Sequence, residues 1–535
     1  MTDRPLIALE IHDVSIWEPS RVLPIVDTMQ RWGYNALVLH QNDLLDACTQ
    51  LDLTANYGVA DLRLKKVRNN AAWLNWLTAR LARFDARLFL EIKEPSYHDH
   101  VLELMPALLG PDGQPDPMHP SWQQLCRRKT SELLARVPGI GGLIVNLSSP
   151  ESRVSVPDHI ATHGEPPDRG AWLDAMIAAF HDPLAAAGKA LFVRDFSYTA
   201  DMQSEVLAAV DRCDGGVGGV GASVKITAHD YFPEFPENPA ARMTTSDVIF
   251  EFEAFGEHMG WGVIPNCRVA EFRRRMPGYR DRGACGLLMR ISWEAITGAN
   301  ALDSLSAVNV FSLPQLVAGD RDARALVLDW LAQAHGVTGA TAGTAADLML
   351  QSWQIPAAAY WNGKVFPRHS CLPSSWQEGW LSMATNGMGR RDRALHVDPA
   401  DPALSDAARH TLFAAKDRAC ALADTLARRA ANLAPDLPPG LAAQFAAFAW
   451  LPVFARQFAL ATRATFHAAR AAPGDMAAIP GLHRDLLALA DDVADRLAAL
   501  PDSAPHHARL LFDPAQIRHF AASLPAGASD PSGHA

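Results

Sequence analysis

The sequence predicts a parallel (β/α)8 barrel, a TIM barrel of the α/β class, followed by a mostly α-helical C-terminal domain. Three observations carry this. Eight short apolar runs recur along the first 318 residues, with amphipathic stretches between them. The runs are mostly short and rich in Leu, Ile, Val and Phe, as strands covered on both faces are. Beyond residue 318 alanine and leucine dominate and the patterns become long and helical. Eight βα units in succession are the repeat of a closed barrel. The barrel is expected over 1–318, the helical domain over 319–525, and a disordered polar tail over 526–535.

Taken in order, the predicted strands are Leu6–Ile11, Ala36–His40, Arg87–Ile92, Gly142–Leu147, Ala190–Asp195, Ala222–Thr227, Asp247–Glu253 and Gly286–Ile291. Each is rich in Leu, Ile, Val or Phe. Glycines punctuate several returns to strand, as in Gly139-Ile140-Gly141-Gly142 and Gly283-Ala284-Cys285-Gly286. The later helical patterns cover Arg321–His335, Asp406–Ala431, Gly440–Ala471 and His483–Leu500. Their alanine-rich faces suit close helix packing and leave a homodimer contact open.

The bulk numbers exclude several classes. A net charge of −11, from 48 basic and 59 acidic residues, provides no concentrated basic face for nucleic acid. No uninterrupted apolar stretch reaches the roughly 20 residues that span a bilayer, so no membrane partner is expected. The N-terminus has no charged segment followed by an apolar one, so no signal peptide is expected. The seven cysteines are scattered and form no C-x-x-C pair. A reduced, cytoplasmic protein without metal or cofactor is the expectation.

In a barrel of this kind, chemistry sits at the C-terminal strand ends. There the sequence places Glu10-Ile11-His12-Asp13, Glu91-Ile92-Lys93-Glu94, Ser149-Pro150-Glu151, Arg194-Asp195, Lys225, His229-Asp230-Tyr231 and Glu251 through Glu257. Glycoside hydrolysis requires two carboxyl functions across a pocket, one protonated and one ionised. The same rim also suits a metal-dependent sugar-acid isomerase or lyase built on His12, Asp13, Glu91, Glu94, His98 and His100. A non-catalytic carbohydrate-binding barrel is the third reading.

Several stretches resemble, in order, the barrel of the α-glucuronidases of glycoside hydrolase family 67. Ser15-Ile16-Trp17 is similar to the family's S-I-W segment, and Gly33 through Leu39 to its G-I-N-G-V-V-I strand. Asp116-Pro117-Met118-His119-Pro120 resembles D-P-L-D-P, and Pro138 through Val145 resembles P-D-F-G-G-F-L-V. Val145 through Glu151 resembles V-K-A-D-S-E with one residue more. Lys225 through Tyr231 resembles K-N-G-P-I-D-F, and Glu251 through Glu257 resembles E-F-Q-I-T-Q-E.

The resemblance implies an inverting glycosidase that removes an α-linked (4-O-methyl-)glucuronic acid from an oligosaccharide such as a xylan fragment. It makes Glu151 the general acid, and Asp230 or Glu257 the base. Arg194 and Lys225 become the cations that hold the sugar carboxylate. Asn146 stands where the family has a lysine. Trp17, Tyr231 and Asp13 are further candidate substrate contacts. The family's N-terminal β domain has no counterpart ahead of the barrel here.

Overall fold

The structure is a computed structural model that describes residues 5–51, 60–98, 100–147, 151–164, 168–195, 200–213, 219–227, 231–232, 237–360, 370–385, 405–500 and 505–525. Eight parallel strands close into a barrel in chain order. They are β1 (Leu6–Ile11), β2 (Ala36–His40), β3 (Arg87–Glu94), β4 (Gly142–Leu147), β5 (Ala190–Arg194), β6 (Val220–Lys225), β7 (Val248–Glu253) and β8 (Gly286–Arg290). The ring is completed by β1 pairing with β8, with Leu6 level with Gly286 and Glu10 level with Arg290.

Two compact units are present. One comprises Met1–Ala228, Glu237–Phe252 and Pro277–Gly298; the other comprises His229–Pro236, Glu253–Met276 and Ala299–Ala535.

The first unit holds the barrel interior. Its lower part is a dry plug formed by Leu6, Ala8, Ala36, Val38, Phe89, Ile144, Phe192, Ile249 and Leu288. Side chains two residues apart on a strand share a face, so continuing each inward series toward the strand C-termini reaches Glu10, His40, Glu91, Asn146, Arg194, Glu251 and Arg290. An apolar floor and a charged mouth are thus written into one period-2 pattern. Glycines make room for the large floor residues. A Cβ on Gly221 would fall 2.6 Å from the Phe192 ring, so β6 gives up a side chain where β5 fills the space.

The outer face of β3 carries a second polar cluster. Glu94 accepts hydrogen bonds from Lys129 Nζ at 2.8 and 3.1 Å and from the Ser96 amide at 2.7 Å, while Ser96 Oγ donates to Asp46 at 2.6 Å. Lys129 and Glu94 are fully buried, and burial of such charges is tolerable only with these partners.

In the second unit the helix Leu451–Arg470 packs between Asp406–Leu433 and Pro473–Ala498. Phe454 and Phe458 lie at its buried face, and Trp450 stacks on Phe512 with centroids 4.5 Å apart. Helix starts carry their expected caps: Asp322 accepts from the Arg324 and Ala325 amides, and Ser405 from the Ala408 amide. The run Pro439–Arg470 is long and apolar enough to cross a membrane, but 72% of its apolar window is buried inside the protein. A core helix of a helical unit has that character.

Candidate active site

The mouth of the barrel is a ring of buried charge. Arg194 is its keystone. Its Nε donates to Glu251 Oε1 and Oε2 at 2.8 and 3.0 Å, and its Nη2 donates to Oε2 at 2.8 Å. Its Nη1 lies 3.1 Å from Glu91 Oε1. Ser223, level with Arg194 on the next strand, adds a 2.7 Å hydrogen bond from its hydroxyl to Glu251 Oε1. Such a bidentate guanidinium–carboxylate pair fixes both groups.

The second half of the ring is built on β1, β2 and β8. His40 Nδ1 lies 2.7 Å from Glu10 Oε1 and 3.2 Å from Glu91 Oε1. His12 stacks on His40, with centroids 3.5 Å apart and planes 3° from parallel. His12 Nδ1 contacts the Arg290 guanidinium and lies 3.0 Å from Glu294 Oε2. Arg290 Nη2 is 3.2 Å from the same Glu294 oxygen.

These surroundings drive the carboxyl groups apart. Burial, only partly offset by Arg290 and Arg194, pushes Glu10 up to about 7. Burial likewise holds Glu91 well above the usual carboxylate range. Glu251 is equally buried, yet Arg194 and Lys225 outweigh that and hold it at about 2. Burial would raise Glu294 too, but Arg290 and Lys93 bring it below its ordinary value. Both histidines are held well below theirs, first by burial and then by each other or by the neighbouring cations. They are therefore neutral, which is what lets two imidazoles stack in a buried place.

Several polar atoms in this ring have no hydrogen-bond partner among the described residues: Glu10 Oε2, His12 Nε2, His40 Nε2, Glu91 Oε2 and both amide atoms of Asn146. Buried polar atoms normally find partners. These atoms keep hydrogen-bonding capacity at the barrel mouth.

Glu10, His12 and His40 also present ligand atoms within 4.8 Å of one another. Imidazole donates in the plane of its ring, at about 2.0–2.1 Å for zinc. Two stacked rings have nearly parallel, separated planes, so no single point lies in both at that distance. As folded, the trio is arranged for hydrogen bonding rather than chelation. Glu91 and Glu94 are also divided, since Glu91 faces the lumen and Glu94 faces Lys129. Of the strand-end residues proposed above as a metal set, Glu91 and Glu94 are thus not brought together.

The residues named from sequence fall as follows. Glu151 is 41% exposed just beyond the end of β4 and contacts Lys93 Nζ. Asn146 lies in the lumen, level with Lys93 on one side and Arg194 on the other. Lys225 is buried, level with Glu251 on the neighbouring strand. Asp13 caps the following 3-10 turn, accepting from the Ser15 amide at 2.6 Å. Trp17 donates its indole N–H to Gln41 Oε1 at 2.8 Å. Asp230, with His229, lies outside the described residues, as do Ser148–Pro150. Tyr231 and Glu257 belong to the second unit and are both buried. There the Glu257 amide donates to Glu253 Oε1 at 2.8 Å, and His258 Nε2 lies 3.7 Å from the Glu257 carboxylate.

The sequence reading did not single out His40, Arg290 or Glu294. Applying the strand-end rule to β2 and to the residues after β8 finds all three, and Arg290 and Glu294 carry the further signal of opposite charges four residues apart.

No protein-family model and no curated protein sequence matches the chain. Among solved structures it is similar to an enzyme of glycoside hydrolase family 138 targeting pectin rhamnogalacturonan II, with a TM-score of 0.66 and 11% identity. The match covers 92% of this chain and 63% of that one, so the chain spans less than two thirds of that neighbour's length. A family 20 exo-β-N-acetylglucosaminidase from Vibrio harveyi matches at a TM-score of 0.36 and 10% identity, over 59% of this chain and 54% of that one. Dispersin B matches at 0.34 and 11%, over 59% of this chain and 98% of that one. Scores of that size add nothing to the first. At 11% identity the likeness shows the fold alone, and nothing in the comparison points to family 67.

Proposed function

We propose that the chain is a glycoside hydrolase acting at the C-terminal mouth of its barrel on a sugar with an acidic group, an α-linked glucuronic acid or a related sugar. One observation supports this above the others. A single buried ring holds carboxyl groups in opposite states, with Glu10 at about 7 and Glu251 at about 2. Two partly exposed carboxylates, Glu151 and Glu294, stand at the rim of this ring, and a glycosidic bond needs such a pair of carboxyl groups beside it. The unpartnered amide and carboxyl atoms of the ring suit sugar hydroxyls, which both donate and accept.

Glu151 is the proposed general acid. It stands at the rim, open to an incoming leaving group, and its contact with Lys93 must part for it to carry a proton. Arg194 spends its guanidinium on Glu251 and Glu91, so its role is to hold the ring together. Lys225, the other cation that the resemblance assigns to the sugar carboxylate, is buried level with Glu251. The inverting course implied by the family 67 resemblance is retained as part of this proposal.

The test compares wild type and Glu151→Gln on one glycone carrying either a sugar or a 4-nitrophenyl leaving group. Loss of a general acid is expected to cost about 10²–10⁴-fold on the sugar leaving group. The loss should be much smaller on 4-nitrophenolate, which departs without a proton. Equal turnover of the two enzymes on the sugar leaving group removes Glu151 from the role.

A further inference from the structure

An inverting glycosidase needs a carboxylate that takes the proton of the attacking water, and three described carboxyl groups of the ring are unsuited to that task. Glu10 and Glu91 are fully buried and held toward the protonated form. Glu251 is ionised, but both its oxygens accept from Arg194, and one accepts also from Ser223. Its basicity is consumed by those bonds.

Glu294 is ionised and meets an arginine as Glu251 does, but it differs in exposure and in meeting that arginine through one oxygen. It lies four residues beyond the end of β8, on the same rim as Glu10 and Arg290, and is 41% exposed. Arg290 and Lys93 keep it ionised. Its contact with Arg290 Nη2, at 3.2 Å, and with His12 Nδ1, at 3.0 Å, both involve Oε2. Lys93 also contacts Glu151, so one ammonium influences both rim carboxylates.

We propose that Glu294, in place of the Asp230 or Glu257 that the family 67 resemblance implies, is the catalytic base that accepts the proton of the hydrolytic water, with Glu151 as the acid. This rests on the glycosidase reading above. The water oxygen bonds to the anomeric carbon while one of its O–H bonds breaks and that proton passes to a Glu294 oxygen. The bond between the anomeric carbon and the glycosidic oxygen breaks, and that oxygen takes the proton held by Glu151. Glu151 ends ionised and Glu294 protonated, and exchange with solvent restores both. No oxidant or metal enters the balance. Arg290 is the positioning residue: its Nη2 donates to one Glu294 oxygen.

The experiment uses the full chain and 4-nitrophenyl glucuronides and glucosides of both anomeric forms. A good leaving group removes the need for an acid and isolates the base. Glu294→Gln is expected to lower kcat by about 10²–10⁴-fold with KM within a few-fold of wild type. The acid limb of the kcat/KM profile should disappear with it. Glu294→Ala should recover turnover in azide, with a glycosyl azide as product, because the small anion replaces the activated water.

Wild-type turnover together with an active Glu294→Gln, or with an unchanged acid limb, overturns the base assignment alone. If either variant melts far below wild type, azide decides: glycosyl azide from Glu294→Ala supports the base, and its absence overturns it. A wild type inactive on every glycoside overturns the glycosidase reading and this proposal with it.

Discussion

Arg194 separates a structural role from a binding one. Its guanidinium is 2% exposed and bridges two buried glutamates. Removing it leaves both of them without their principal cation. Breaking a buried pair from one side costs about 3–5 kcal/mol, so Arg194→Ala is expected to lower the urea midpoint markedly, whatever sugar is bound. A variant of wild-type stability that had merely lost affinity for acidic sugars would restore the clamp role that the sequence implied.

Glu10 gives a pH test at the same scale. Its folded value of about 7 exceeds the ordinary 4.5, so the folded state binds that proton more tightly than the unfolded chain. That contribution to stability is fully present below about 4.5 and is lost as pH rises through about 7. The difference in unfolding free energy between wild type and Glu10→Gln should therefore fall between about pH 5 and 7.5, while His12 and His40, held low, act in the opposite sense in both proteins. An identical slope in the variant contradicts the assignment. The strand-end rule put Glu10, Glu91, Arg194 and Glu251 on one rim, but which carboxylate each cation holds was not legible in the sequence. Glu91, Arg194 and Glu251 are scattered along the chain, and only barrel closure makes them neighbours.

At the scale of elements the sequence was far more informative. Leu6–Ile11, Ala36–His40 and Gly142–Leu147 coincide with their predicted runs. The departures have physical causes. β3 continues past Ile92 to Glu94, and Lys93 and Glu94 can extend a buried strand only because each meets a specific partner, Glu151 on one side and Lys129 on the other. β6 begins at Val220, ahead of the expected Ala222, because Gly221 breaks a propensity pattern while making room for Phe192. Gly142 shows the same economy of space, since a Cβ there would fall 2.2 Å from the Ala190 carbonyl oxygen. Overpacking of a strand contact costs about 1–3 kcal/mol. Gly142→Ala should lower the unfolding free energy, read from the urea midpoint, by that amount. An unshifted midpoint would show that β4 and β5 separate freely.

For the molecule as a whole, barrel closure converts eight local strand ends into one ring of charge over an apolar floor. The floor supplies burial that raises Glu10 and Glu91, and the paired cations hold Glu251 and Glu294 down. The ring's members come from different strands, which is why single motifs in the sequence identified them only in part. The most direct measurement is incubation of wild type and Glu151→Gln with reducing-end-labelled oligosaccharides, half capped by α-linked uronic acids and half by neutral sugars, with and without chelator. Release of a uronic acid by wild type alone, unaffected by chelator, is the expected result. Tight binding of the same oligosaccharides with no bond cleaved would contradict the hydrolase and leave a carbohydrate-binding barrel.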